Sequence, residues 1–330
     1  MVKIGNIELP DFPFLLAPME DVSDPPFRRL CKLHGADLMY SEFISSEGLI
    51  RDAMKSRKKL DIFDYERPVG IQIFGGDEEA MAMSARIVET VNPDIVDINF
   101  GCPVKKVVSK GAGAGVLKDV DLMVRLTKAV IKGTNLPVTV KTRLGWDENS
   151  INIDEVAERL QDIGVQALTI HARTRAQMYK GHSDWSHIAR VKNNPRITMP
   201  IFGNGDIDSP EKALEYKNKF GIDGIMIGRA AIGYPWIFDE IKHYFKTGEH
   251  LPLPTIKDRI EAAKNHLIWS MEWKGERVGI VEMRRHYTNY FKGIHSFKEY
   301  KNRLVTTDNH NDLMNIFEEI NDVYADYKLH

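Results

Sequence analysis

Eight short apolar runs, each nearly unbroken and each set off from the next by amphipathic helical stretches, constrain this chain more than any other feature of it. They cover residues 14–17, 38–42, 69–74, 95–99, 138–142, 167–171, 201–204 and 224–227. A strand reads this way when both of its faces are covered, as in a parallel sheet, whereas a half-exposed strand alternates. Strands interleaved with helices make repeated βα units. The periodicity predicts helices over 77–91, 119–131 and 154–163, with Asp154 placed to cap the last. A doubly wound sheet would call for G-x-G-x-x-G after the first strand, which runs instead into Ala17-Pro18-Met19. The expected fold is therefore α/β, a (β/α)8 TIM barrel.

The alternation stops after Trp236, and Leu251-Pro-Leu-Pro254 precedes a stretch of helical spacing. A boundary near residue 250 divides a barrel over 1–248 from an all-α helical domain over 249–330. The second part interleaves Trp269, Trp273, Tyr287, Tyr290, Phe291 and Tyr300 with basic residues. From Lys257 to Arg303 there are eleven Lys/Arg against six Asp/Glu, although the whole chain has a net charge of −2. Beyond Arg303 the balance turns acidic, with Asp308, Asp312, Glu318, Glu319, Asp322 and Asp326.

Hydrophobic residues at 43% with 28% charged ones fit a large core under a solvated surface and exclude a disordered chain. No apolar run approaches the ~18 residues that a membrane span needs. Residues 1–10 carry neither an apolar leader core nor a small-residue cleavage site, so the expected location is cytoplasmic. Two cysteines, Cys31 and Cys102, make neither a disulfide framework nor a four-cysteine zinc site. His-Glu-x-x-His and Gly-x-Ser-x-Gly are both missing, so neither a metal nor a serine hydrolase site is expected.

The active site of such a barrel forms at the C-terminal ends of its strands, and polar residues crowd those ends here. They include Gln72; Asn99 followed by Gly101-Cys102-Pro103; Lys141 and Arg143; and His171, Arg173 and Arg175. The last two strands end in Gly203-Asn204-Gly205-Asp206 and Gly228-Arg229, either two tight turns or a phosphate cradle with a guanidinium beside it. Lys141 could stabilise negative charge on a cofactor ring, pair with a carboxylate, or form a Schiff base. A thiol of ordinary pKa, about 8.5, is mostly protonated at neutral pH and can serve as an acid, which suits Cys102. Cys31, within Phe27-Arg-Arg-Leu-Cys-Lys32, reads as a core residue.

Taken in order, several segments resemble the tRNA-dihydrouridine synthase family, most closely its bacterial, DusB-like branch. They are Ala17-Pro-Met-Glu-Asp-Val-Ser-Asp24, Gln72-Ile-Phe-Gly75, Asp97-Ile-Asn-Phe-Gly-Cys-Pro-Val-Lys-Lys106, Lys141-Thr-Arg-Leu-Gly-Trp146, His171-Ala-Arg-Thr-Arg175, Gly203-Asn-Gly-Asp-Ile207, Gly228-Arg229, Met283-Arg-Arg-His286 and Tyr290-Phe-Lys-Gly293. The resemblance implies an FMN-containing barrel with NADPH as reductant, adding hydrogen across the C5–C6 bond of a tRNA uridine. On it, Pro18, Met19 and Glu20 would line the flavin ring, Gln72, Lys141 and His171 would touch it, and Asn204, Gly205, Asp206, Gly228 and Arg229 would hold the phosphate end. Cys102 would be the proton donor to C5. Asn99 and Arg173 would contact the uridine, and Arg284, Arg285 and Lys292 the RNA backbone.

The implied partner is tRNA, without membrane or metal, and the expected state is a monomer. Three rivals keep to the same residues: a flavin barrel reducing a free small molecule in the manner of dihydroorotate dehydrogenase, a cofactor-free lyase using Lys141, and an RNA-binding module without catalysis.

Overall fold

The computed structural model describes residues 1–327; the end of the expected helical domain, 328–330, lies outside the described residues. The first two strands form an antiparallel hairpin, β1 (Val2–Ile4) and β2 (Ile7–Leu9). Then come β3 (Phe14–Leu16), β4 (Met39–Tyr40), β5 (Ile44–Ser45), β6 (Val69–Phe74), β7 (Ile95–Asn99), β8 (Val138–Arg143), β9 (Ala167–His171), β10 (Ile201–Asn204) and β11 (Gly224–Ile227). These run parallel in the order β3-β11-β10-β9-β8-β7-β6-β4. A parallel bridge between Leu15 and Leu38, with Leu16 N–H donating to Leu38 O at 2.9 Å, closes the ring. The barrel expected from the eight runs is what forms.

One run splits. The chain pairs with β6 as β4, breaks at Ser41 and Glu42, and pairs again as β5. At the break the Ser41 hydroxyl accepts from Gln72 N–H at 3.1 Å and donates to Glu42 O at 2.8 Å, replacing ladder bonds with side-chain ones.

Helices α1 (Pro25–Leu33), α2 (Ser46–Ile50), α3 (Met54–Lys58), α4 (Glu78–Glu89), α5 (Lys105–Val108), α6 (Val120–Gly133), α7 (Ile153–Asp162), α8 (Ser186–Lys192), α9 (Pro210–Phe220) and α10 (Ile237–Thr247) follow or separate the strands. The last four are α11 (Ile256–Lys274), α12 (Glu276–Tyr290), α13 (Lys298–Thr306) and α14 (His310–Tyr324). Asp77 and Asp119 cap α4 and α6 by accepting from Ala80 and Leu122 N–H. Asp154 is not a cap: it lies one residue inside α7, and its carboxylate takes the guanidinium of Arg190 on α8.

Contacts divide the described chain into two units, one of Met1–Asp24 with Ala36–Gly228, the other of Pro25–Gly35 with Arg229 onward. The boundary expected near residue 250 thus falls at Arg229, and α10 goes with the helices. So does α1, which chain order would keep with the barrel. Leu30 of α1 joins the core of Ile260, Leu267, Ile280, Met283, Tyr287 and Phe317, while Phe27 stacks on His266 and Arg29 lies 4.0 Å over the Trp269 ring.

Within the barrel unit, the hairpin that sequence periodicity missed has a clear task. Its Val2, Ile4 and Leu9 share one buried cluster with Leu15, Leu38, Tyr40, Ile95, Ala167, Phe202 and Met226. The hairpin precedes β3 and plugs the end where the strands begin, so the site is confined to the end where they finish.

Candidate active site

Strand register stacks the polar residues in layers. Gln72, Asp97 and Thr139 are neighbours across β6, β7 and β8. Next along the strands, Asn99 pairs with Lys141 and Lys141 with Thr169; beyond them Arg143 pairs with His171 and His171 with Asn204. Residues spaced by two on parallel strands share a face, so the register alone delivers Lys141, Arg143, His171 and Asn204 to one mouth.

Cys102 lies in the turn just beyond β7 and is 7% exposed. Asn99 Oδ1 accepts from the N–H of both Gly101 and Cys102 at 2.9 Å, holding the turn from beneath. Arg143, 2% exposed, grips it from the side: Nε donates to Gly101 O at 2.7 Å, and Nη1 donates to Thr174 O and Met178 O at 3.1 and 2.7 Å. One guanidinium thus ties the cysteine turn to the loop after β9. Burial pushes the Cys102 thiol up, and an N–H from Val104 and the nearby Arg143 and Lys141 cations only partly oppose it. The sulfur is a neutral S–H at pH 7.

Lys141 is pushed down to about 8, by burial first and then by Arg143, with Asp97 and Cys102 opposing. Its Nζ donates to the neutral amide oxygen Asn204 Oδ1 at 3.2 Å, while Asn204 Nδ2 donates to Met226 O at 2.8 Å. Among the described residues no carboxylate forms an ion pair with Lys141. An ammonium at a barrel mouth, held by a neutral partner and electrostatically coupled to the cysteine, suits the anionic edge of a reduced flavin. On that donor chemistry the residues fit the cofactor.

The glycines have more tasks than a phosphate. A Cβ on Gly203 would fall 1.9 Å from the Trp185 ring, so this glycine exists for Trp185. Gly205 has φ +132°, open to few other residues, and its carbonyl accepts from Trp185 Nε1 at 3.0 Å. Gly228 would bring a Cβ within 3.6 Å of Met19 Sδ, which sets the loops after β3 and β11 side by side. Pro18 is buried and Met19 half-buried, its N–H held by Ser23 Oγ at 2.8 Å. The Glu20 carboxylate is exposed and ion-paired to Lys59 at 2.5 Å, which leaves its backbone as its contribution to the mouth. Lys59 also lies 3.5 Å from Glu42, and so fills the one cluster of three carboxylates among the described residues, Glu20, Asp21 and Glu42.

Arg173 differs from its expected use. The side chain is 2% exposed, and its nitrogens donate to Lys180 O, Gly181 O and Asp206 Oδ2 at 3.2, 2.7 and 2.6 Å, with His171 Nε2 at 3.4 Å. Each of its nitrogens is engaged, so it braces the loops after β9 and β10 rather than reaching a substrate. Burial alone would raise the Asp206 carboxyl, but Arg173 and the Ser183 N–H hold it below the usual range. Asn99 is similarly occupied, its Nδ2 donating to Gln72 Oε1 at 2.7 Å. Arg143, which stands at a strand end in the sequence with no role apparent from it, is the main addition; its spacing of two from Lys141 was the available signal.

Arg229, exposed, opens the 3₁₀ turn Arg229–Ala231 at the start of the helical unit. There, Arg285 and Lys292 are exposed, whereas Arg284 is half-buried with Nη2 donating to Thr307 O at 3.3 Å. Lys264, Lys274 and Arg303 are neutralised by Glu318, Glu282 and Glu319. Among the described residues no helix is long and apolar enough to cross a membrane.

In solved structures, the barrel architecture is similar to that of morphinone reductase (TM-score 0.54, 12% identity, 78% of this chain and 91% of that one) and of a 2-naphthoyl-CoA reductase (TM-score 0.57, 13% identity, 73% and 51%). At that identity the likeness concerns the fold alone. Sequence relatives are much nearer. The chain is 40% identical over 311 residues to tRNA-dihydrouridine synthase B of Pseudomonas aeruginosa, covering 93% of each. It is 39% identical over 326 residues to a probable tRNA-dihydrouridine synthase of Rickettsia conorii, covering 98% of this chain and 97% of that one. The family model described as dihydrouridine synthase (Dus) matches residues 15–323, from the first barrel strand into the last helix. With a match of that extent and relatives of that identity, the chain belongs to the dihydrouridine synthase family.

Proposed function

We propose that this protein is an FMN-dependent, NADPH-driven tRNA-dihydrouridine synthase that saturates the C5–C6 bond of one uridine. The observation that carries the reading is the pairing, at one barrel mouth, of a thiol kept protonated with an ammonium that has no carboxylate partner among the described residues. Bound FMN would supply the hydride for uracil C6, with NADPH as the source of its electrons.

The chain's residues do the rest. Lys141 places positive charge where a reduced ring carries negative charge, aided by His171 and Gln72 at its edges. Pro18 and Met19 would cover the ring, and the backbone of Asn204, Gly205, Asp206 and Gly228 would take the phosphate. As C6 gains hydrogen, negative charge builds at C5, and Cys102 delivers the proton there. The thiolate left behind is stabilised by Arg143 and Lys141 and is reprotonated from solvent.

The target base starts stacked in RNA, and extruding it costs a few kcal/mol. Exposed cations of the helical unit, Arg285 and Lys292 foremost, offset that cost by neutralising phosphates. Arg284, half-buried with one bond to Thr307 O, is the least accessible of the three.

The test is direct. Purified protein should carry flavin absorbance, and tRNA from cells lacking the gene should regain dihydrouridine at one position when it is restored. Colourless protein, or unchanged dihydrouridine content, would overturn the reading.

A further inference from the structure

Behind Cys102 runs a line of buried polar side chains that ends at Asp97, a residue to which the chemistry above gives no task. Asn99 Oδ1 faces two donors, the N–H groups of Gly101 and Cys102. The NH2 end of Asn99 must then face away, and it donates to Gln72 Oε1 at 2.7 Å. Gln72 in turn presents Nε2 to Asp97 Oδ2 at 2.5 Å. The line ends at Asp97, 1% exposed, whose other oxygen accepts from the Thr139 hydroxyl.

Each link sets the polarity of the next. An amide is ambiguous, because either end can face a neighbour after a half-turn of the terminal torsion. An ionised carboxylate is not ambiguous, because it only accepts. Reverse Gln72 and two oxygens meet at Asp97; reverse Asn99 and its NH2 faces the two N–H groups of the turn. Only the observed orientation of both amides sets a donor against an acceptor at every link. A buried carboxylate is expensive, and no Lys or Arg forms an ion pair with Asp97 among the described residues, so mere filling of the barrel does not account for it.

We propose that Asp97 is a positioning residue for Cys102: its carboxylate dictates which way Gln72 and then Asn99 point, and thereby holds the turn that aims the thiol at the substrate. The inference rests on the reading of Cys102 as proton donor. It also assigns Gln72 and Asn99 a role beyond contact with flavin or uracil.

Backbone hydrogen exchange, read by mass spectrometry on flavin-free protein without RNA, tests the line itself. Asp97→Asn removes the obligate acceptor and lets both amides turn. Exchange in the peptide spanning residues 99–103 should quicken roughly tenfold while β9 and β10 keep their protection. In the loaded enzyme kcat should fall by roughly 10²-fold, as for a misplacement of about 1 Å, with KM for tRNA nearly unchanged. The double variant Asp97→Asn with Gln72→Glu moves the acceptor one link along, so that Asn99 again meets only an acceptor, and exchange at 99–103 should slow again.

Unchanged exchange at 99–103 in Asp97→Asn overturns the proposal, as does an equal rise throughout the barrel or no recovery in the folded double variant. Should Asp97→Asn not fold, Gln72→Met cuts the same line and carries the same expectation, unchanged exchange again counting against it. Full turnover by Cys102→Ala would instead sink the donor assignment, leaving the exchange result standing.

Discussion

Cys102 can act as an acid because its surroundings keep the proton on sulfur rather than stripping it. Substituting alanine should leave flavin bound and lower dihydrouridine formation by roughly 10²- to 10⁴-fold, the usual worth of a general acid. Spectra of the purified variant and single-turnover assays check both halves. Lys141, depressed to about 8, keeps its charge below that pH and loses it above, so turnover should decline as pH rises through about 8. Lys141→Met should cost roughly 10²- to 10³-fold and remove that limb, which initial rates across the alkaline range will show. Residues such as Cys102 and Lys141 were legible because a thiol between glycine and proline after a strand, or an ammonium inside an apolar run, already departs from packing. Arg173 was not, because nothing near it in the sequence announces that Asp206 and the carbonyls of Lys180 and Gly181 will surround it.

Elements buried on both faces announce themselves, which is why the runs at 69–74, 95–99, 167–171, 201–204 and 224–227 match β6, β7, β9, β10 and β11 end to end. Strands of three residues, β1 and β2, have no room to show a period, and the break at Ser41 depends on a hydroxyl bonded to a strand distant in sequence. Packing across elements sets two further expectations. Gly203→Ala would drive a methyl into the Trp185 ring and should destabilise the barrel by about 1–3 kcal/mol in denaturant titrations. In the helical unit, His266 is fully buried against Phe27 and His286, with Nδ1 3.0 Å from the Tyr290 hydroxyl, and burial, then Lys274, lowers it to about 3. Its folded value lies below the unfolded one near 6.5, so the stability this brings is whole above that pH and drains away as pH falls toward about 3. Unfolding monitored at Trp269 and Trp273 should show a loss of about 2 kcal/mol between pH 7 and pH 5, largely abolished in His266→Gln.

For the molecule entire, net charge misleads: a value of −2 conceals a helical unit whose basic excess is partly cancelled by its own last helix. Reversing Arg285 and Lys292 to glutamate should weaken tRNA binding and reduce the slope of log K against log salt by roughly 1 for each phosphate no longer neutralised, with flavin content unaffected. Filter binding across a salt series reads this out. A subtler matter is the timing of synthesis. α1 belongs with helices that leave the ribosome more than two hundred residues later, so its apolar side, with Phe27 and Leu30, emerges long before α11 and α12 exist to shelter it. A nascent chain arrested before Arg229 should therefore recruit chaperones or clump, and a gene split at that point should yield soluble protein only when both fragments are made together.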